Sequence, residues 1–345
     1  MAGERVIYCK EGAFVTVTVL QGENGYKELR INNIPEAPTD YGCLQAFHVL
    51  AHLPCLLHKN PQKSLVLCFG AGITTGAMAT HNLQQIDAVE ICPDVIEANL
   101  YFFKENQYIL ADNRLNLIID EGRNYLLNNR NRYDIIACDA THPRSSDSWM
   151  LYTREFYELC RKRLNPDGII CQWLPIHGLT PIEYKRIIRT FLIVFPNATL
   201  WFINRFTILL GTLKRLIIDF NLFTQRLENE RIKDDLKQLN LDDPYAFLSC
   251  FMTDNEGLEK YTQGMKISTD HFPLVRHDSQ RQLSIDTKPL NLSDLSRIRK
   301  NVLSFLDNPE NQSSIVKTEL KKYFEAKNYV IQGRIFCFNG MLKEE

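Results

Sequence analysis

The stretch from Ser64 to Glu90, SLVLCFGAGITTGAMATHNLQQIDAVE, constrains this chain more than any other. Leu65 to Phe69 is a short, wholly apolar run, the length of a strand buried on both faces. It leads directly into Gly70, Gly72 and Gly76, then into the helix-forming Ala77-Met78-Ala79. A second apolar strand, Ile86 to Val89, ends at Glu90. The pattern is β-turn-α-β with a carboxylate at the tip of the second strand. Glycines let the backbone turn tightly and approach a ligand, and an acid about 20 positions after the first glycine can accept both hydroxyls of a ribose. The spacing is G-x-G-x-x-x-G rather than the dinucleotide G-x-G-x-x-G, so a pyrophosphate is not the first choice. A glycine turn alone often only closes a strand onto a helix; Glu90 argues for a nucleoside.

The segments on either side extend this pattern. Residues 5 to 33 alternate like antiparallel strands, with Val6-Ile7-Tyr8, Phe14 to Val19 and Leu29-Arg30-Ile31 joined by turns at Gly12 and Gly22 to Gly25. Pro35 to Thr39 reads as a linker. Cys43 to His58 carries apolar residues at helical spacing and precedes Pro61. After Glu90, a helix is expected from Pro93 to about Asn106, a strand over Leu115 to Ile119, a short helix from Asn124 and a strand over Tyr133 to Cys138. A helix over Tyr152 to Leu164, a turn at Asn165 to Gly168 and a strand over Ile169 to Trp173 follow. Pro181 to Phe195 reads as a helix, and Thr199 to Ile203 with Thr207 to Gly211 as a closing antiparallel pair. Strands alternating with helices predict an α/β chain: a Rossmann-like, doubly wound, mostly parallel sheet. Residues 1–40 form an N-terminal antiparallel β-meander, 41–212 the nucleoside-binding catalytic domain and 213–345 a mainly helical C-terminal extension. That extension includes a polar helical pattern over Gln225 to Leu239 and a charged helical tail from about Leu292.

Composition narrows the function. A net charge of -1 gives no electrostatic case for nucleic acid or an anionic membrane. Met1 to Arg5 leads into an alternating strand and does not read as a secretory leader. The richest apolar run, Phe191 to Leu210, is broken by Pro196, Asn197, Asn204 and Arg205, so no membrane span is expected. The 10 cysteines include no C-x-x-C pair, and Cys68, Cys138 and Cys171 sit in apolar runs. They read as buried thiols in a reducing, cytoplasmic setting, not as disulfides or a zinc site. No metal is expected.

In an open parallel sheet, ligands sit beyond the carboxyl ends of the strands. Here those ends carry the glycine loop, Glu90, the Asp120-Glu121-Gly122 run and Asp139. One acid at a strand end usually caps the next helix; acids at three successive ends are harder to dismiss. A ribose diol, an amino-bearing purine and a positive group describe S-adenosylmethionine or a relative. Glu90 would take the ribose, Glu121 or Asp120 would face the adenine edge, and Asp139 would lie beside the sulfonium.

The run from about Leu53 to Phe202 resembles the spermidine/spermine synthase family, the polyamine aminopropyltransferases, and most of all the branch often fused to membrane transporter domains. The resemblance rests on AHLPCLLHKNP, the glycine loop, VEICPDVIEA, IIDEGRNYL, YDIIACDATHP, LYTREFYELCRKRLNPDGIICQW and ISTDHFP in that order. It implies transfer of propylamine from decarboxylated S-adenosylmethionine to a small-molecule amine, leaving methylthioadenosine. By the same resemblance Asp139 is the base and Glu90 the ribose carboxylate, Glu121-Gly122 makes the adenine contact, and His52, Gln172 and Tyr152 lie on the substrate side. The meander and charged tail can serve a homodimer, as in relatives.

The departures are concentrated on the amine side. The second aspartate of the family's D-x-x-D-P is His142, the loop aspartate is Ile73, and a tyrosine and an acid before the family histidine are Ala46 and His48. His142 is read as a second catalytic residue or as a cap of the loop before Pro143, and His52 as a site residue or a core histidine. Arg123 clamps a carboxylate or pairs with Asp120; Asp270 and His271 close over the site or end a turn. Two further functions stay open: methyl transfer from intact S-adenosylmethionine, and a non-catalytic nucleoside- or partner-binding module.

Overall fold

The computed structural model describes residues 4–13, 15–145, 148–273 and 286–340. Four antiparallel strands open the chain: β1 (Arg5–Glu11), β2 (Thr16–Gln21), β3 (Lys27–Ile31) and β4 (Ile34–Pro38). The meander therefore has one strand more than the alternation predicts. β4 occupies the expected linker, and its prolines are tolerated because it pairs on one side only, with β3. Phe14, expected to start the second strand, lies outside the described residues.

The central sheet builds on α1 (Tyr41–Leu57), β5 (Lys63–Leu67), α2 (Ile73–Ala79), β6 (Gln85–Glu90), α3 (Pro93–Ala98), β7 (Leu115–Ile119), α4 (Gly122–Asn128) and β8 (Tyr133–Cys138). It continues through α5 (Arg154–Arg163), β9 (Leu164–Pro175), α6 (Pro181–Val194), β10 (Thr199–Ile203) and β11 (Phe206–Thr212). With a late strand β12 (Phe251–Thr253), strand order is β12-β10-β11-β9-β8-β5-β6-β7, with β7, β6, β5, β8 and β9 parallel and the rest antiparallel. The chain winds outward from β5 to β7 and then returns to the other side of β5 at β8. The strand order thus reverses between β5 and β8, where such sheets open a crevice.

Both faces are covered. Val49, Leu50 and Leu53 of α1 pack on Val66, Ile135, Cys171 and Ile208; Phe156 of α5 and Phe191 of α6 pack on Leu65, Ile136 and Ile170 opposite. The helix expected over Pro93 to Asn106 stops at Ala98 and continues as a 3-10 turn over Asn99–Phe102, with Gln107 and Tyr108 at positive φ. No turn separates Leu164 from Ile169. Leu164 already pairs with Tyr133, Asn165 is tied to Asp134 at 2.6 Å, and an irregularity in register absorbs the extra residues.

After β11 the chain forms α7 (Phe220–Leu227), α8 (Glu230–Lys237), α9 (Pro244–Leu248), β12, α10 (Asn255–Tyr261), α11 (Lys288–Ser296) and α12 (Ser314–Phe338). The single helical pattern expected over Gln225 to Leu239 is two helices, split where Asn229 caps the second. β12 adds an eighth strand to the central sheet, and Phe223, Leu236 and Phe247 join the core on the α1 face. The last residues of the expected tail lie outside the described residues. Among the described residues, no helix is long and apolar enough to cross a membrane.

Candidate active site at the carboxyl edge of the sheet

Hydrogen bonds that outrun the strands fix the edge where β5, β6, β7 and β8 end. Phe69 N donates to Val89 O, Asp120 N to Glu90 O and Asp139 N to Leu67 O, each at 3.1 Å. The glycine loop, Glu90, Asp120 and Asp139 are therefore held along one line. Gly70 (φ 54°) and Gly72 (φ 75°) take the left-handed turn that favours glycine. A Cβ on Gly70 would meet nothing within 4 Å, which leaves the backbone there open to a ligand. A Cβ on Gly76 would lie 2.1 Å from the Asn106 carbonyl, so that glycine serves packing.

Glu90 is buried, and its two oxygens accept the backbone N–H groups of Gly70 and Cys92, each at 3.0 Å. Burial pushes its carboxyl up, against the pull of those amides. The carboxylate braces the loop and still offers lone pairs outward. Asp120 accepts from Glu121 N and Asn124 Nδ2, both at 2.8 Å. Glu121 is the N-cap of α4, accepting from Arg123 N and Asn124 N. Gly122 has open space above it, with only Leu67 Cδ2 in ordinary contact.

Asp139 sits at the reversal of strand order. Its Oδ2 accepts the Thr74 hydroxyl at 2.7 Å, and the Thr74 oxygen also lies 3.3 Å from the Phe47 carbonyl. Burial pushes the Asp139 carboxyl up to about 7, opposed only by Thr74. The single Thr74 hydrogen serves both protonation states. It points at an ionised Asp139, and it can turn to Phe47 when Asp139 is protonated and donates in its place.

Gln172, beside Cys138 in the ladder, is fully buried. Its Nε2 donates to Trp173 O at 3.2 Å, while Oε1 has no partner among the described residues. An open glycine cradle, a buried carboxylate and an orphaned buried acceptor on one edge fit a polar nucleoside-like ligand. Tyr152 is buried with its hydroxyl near the carbonyls of Thr141 (3.2 Å) and Trp173 (3.4 Å), tying the loop after β8 to β9. His142 Nε2 donates to His177 O at 3.0 Å and Nδ1 accepts from Arg144 N at 3.2 Å. Both nitrogens are thus committed to backbone, and burial holds the ring neutral by pushing its pKa down.

His52 stands apart from these groups. It lies in a buried network with His81, two residues past the end of α2, and with Asp235 of α8. Phe47, a turn and a half earlier on α1, is the part of the helix that reaches Thr74. The side chain expected beside the substrate points instead into the α1–α2–α8 interface. Ile73, at the place of a family aspartate, is buried among Val17, Val19, Val95 and Phe102, in the core that joins the meander to the glycine loop.

Three contacts here have no local sequence signal. One is the Thr74–Asp139 bond. The second is a two-pronged ion pair between Arg123 and Asp270, at 2.8 and 2.5 Å, which resolves the choice of partner for Arg123. Asp270 also accepts from Thr153 Oγ1 at 2.8 Å, so the ISTDHFP segment is fastened at the starts of α4 and α5. The third is an aromatic group of Trp173, His177 and Phe206, with centroids 5.6 to 6.4 Å apart, at the carboxyl end of β9.

Known proteins resemble this chain in sequence and in fold. A polyamine aminopropyltransferase of Thermotoga petrophila is 32% identical over 41% of this chain and 50% of its own length. Another, of Saccharolobus islandicus, is 29% identical over 66% of this chain and 78% of its own. The chain spans about half the length of the first of these relatives. A crystal structure of spermidine synthase in complex with the transition-state analogue AdoDATO superposes with TM-score 0.55 at 22% identity, covering 92% of this chain and 88% of that one. The spermidine synthase of Thermotoga maritima gives 0.53 at the same identity and coverage. These two likenesses establish the fold. None of these names bears on a transporter-fused branch. Residues 46–201 match the spermine/spermidine synthase domain, and it is in this domain that the chain resembles the polyamine aminopropyltransferases.

Proposed function

We propose that the chain is an aminopropyltransferase: it moves a propylamine group from decarboxylated S-adenosylmethionine to a small amine. Glu90 receives the ribose hydroxyls, and the Gly70–Gly72 turn lets the backbone approach the nucleoside. The Asp120-Glu121-Gly122 run meets the adenine edge. Ile91, 65% exposed beside Glu90, offers an apolar surface for the purine. The acceptor nitrogen attacks the methylene next to the sulfonium. A C–N bond forms, the C–S bond breaks, and its electron pair stays on sulfur as methylthioadenosine leaves. Asp139 takes the proton that the amine loses.

The observation that carries this reading is the Asp139 carboxyl, set at the strand-order reversal beside the glycine loop and pushed up to about 7 by burial. A base poised near the working pH is half ionised and ready to accept a proton. His142 is given a bracing role in the loop, because its nitrogens already serve backbone groups. With Ile73 in an apolar core, the site lacks the carboxylate that would hold a second ammonium. An acceptor with one amine end, its body against Trp173 and Phe206, suits it better than a diamine. Cys138, Cys160 and Cys171, buried in the sheet core as free thiols, suit a reducing, cytoplasmic setting.

Calorimetric titration with methylthioadenosine, decarboxylated and intact S-adenosylmethionine tests the nucleoside half. Preference for the decarboxylated form, lost in Glu90→Ala, is expected. Preference for the intact form moves the reading to methyl transfer, and binding of none retires both.

A further inference from the structure

Away from the nucleoside edge, five polar side chains meet where α1, α8 and the segment after α2 come together. His48 and His52 stand one turn apart on the inner face of α1 and are buried, as is Asp235 of α8. His48 Nδ1 and His52 Nε2 each lie 2.7 Å from the same oxygen, Asp235 Oδ2. Gln107 Nε2 donates to the other oxygen at 2.6 Å. His81 Nε2 lies 2.8 Å from His52 Nδ1. The two ring nitrogens and a carboxylate oxygen fall within 4.8 Å of one another.

Among the described residues, no lysine or arginine forms an ion pair with this carboxylate; its partners are two imidazoles and an amide. A buried carboxylate without a cation is costly. Two imidazole nitrogens and a carboxylate oxygen, two of them from an i, i+4 pair on one helix, are the donor set that first-row divalent ions select.

We propose that His48, His52 and Asp235 form a binding site for a divalent metal of the zinc class, which fastens α8 to α1. His48 binds through Nδ1 and His52 through Nε2. The hydrogen on each neutral ring moves to its other nitrogen, so no net proton is lost. His52 Nδ1–H then donates to His81 Nε2, and Gln107 keeps the carboxylate turned inward; both are positioning residues. A tetrahedral ion spreads its ligand atoms to roughly 3.3 Å, so α8 moves outward by about 0.6 Å on binding. The fourth position is left to water. His81, behind His52, borders a cavity of about 550 Å³ also lined by Thr80, Arg231 and Ile232.

The test uses the full chain freed of metal by a chelator and titrated with Co²⁺, then competed with Zn²⁺. One Co²⁺ per chain, with the visible d–d bands of a four-coordinate ion and a higher unfolding temperature on adding Zn²⁺, is expected. Asp235→Asn should lose the bands, and His81→Ala should weaken Co²⁺ by about 10–100-fold. Absence of stoichiometric Co²⁺ binding in the wild type overturns the proposal. So do bands of unchanged affinity in Asp235→Asn, which would place the ion on other histidines. His48→Gln serves the same comparison if Asp235→Asn does not fold.

Discussion

In the unfolded chain the Asp139 carboxyl titrates at its ordinary 3.8; in the folded protein burial raises it to about 7. Below 3.8 both states are protonated and the difference contributes nothing. As pH rises, the unfolded state ionises first and gains on the folded one, until the folded carboxyl also ionises near 7. Stability is therefore lost across that window and the loss is complete above it. Integrated, it amounts to about 4 kcal/mol at pH 8 and about 2 kcal/mol at pH 5.5, both upper values. Asp139→Asn keeps the shape, lets its amide oxygen accept the Thr74 hydroxyl and never ionises. Urea unfolding should show the variant more stable than the wild type at pH 8, with roughly half that margin at pH 5.5. Turnover should be lost in the same variant, since an amide takes no proton. A variant no more stable at pH 8, or a margin that is flat between the two pH values, refutes the reasoning.

Thr74→Val removes the one group that holds the Asp139 carboxyl down, so the acidic limb of the kcat/KM profile should move to higher pH, with the basic limb unmoved. Gly76→Ala places a methyl against the Asn106 carbonyl and should cost about 1–3 kcal/mol in urea unfolding, with nucleoside affinity falling as the loop shifts. Arg123→Ala frees Asp270 and its segment; KM should rise while stability falls by no more than about 1 kcal/mol, because the pair is partly exposed.

The sheet and its helices are legible because their signals are local. Apolar runs such as Leu65 to Phe69, the glycine turn and capping residues each declare themselves within a few positions. β4 was hidden because prolines read as a linker, although an edge strand pairing on one side accepts them. β12 was hidden because three residues carry no periodicity. Glu90, Asp139 and the Asp120-Glu121-Gly122 run share one edge because strand ends in a parallel sheet must, so their meeting in the candidate site could be read from order alone. The rest depends on contacts between distant segments. Arg123 finds Asp270 only once the chain has returned over α4. His52 is a site residue or a core residue according to which way α1 faces, and Asp235, which decides it, lies on α8. Ile73 is apolar because the meander packs there, a pairing that no spacing within the glycine loop announces.

Propylamine transfer itself is tested most directly by product analysis. The chain would be incubated with decarboxylated S-adenosylmethionine and a panel of mono- and diamines, and methylthioadenosine and the new amine quantified by mass spectrometry. The two should form in equal amounts, most with a single-ended amine and not at all with Asp139→Asn. No methylthioadenosine with any amine, or a methylated product formed from intact S-adenosylmethionine instead, would contradict it.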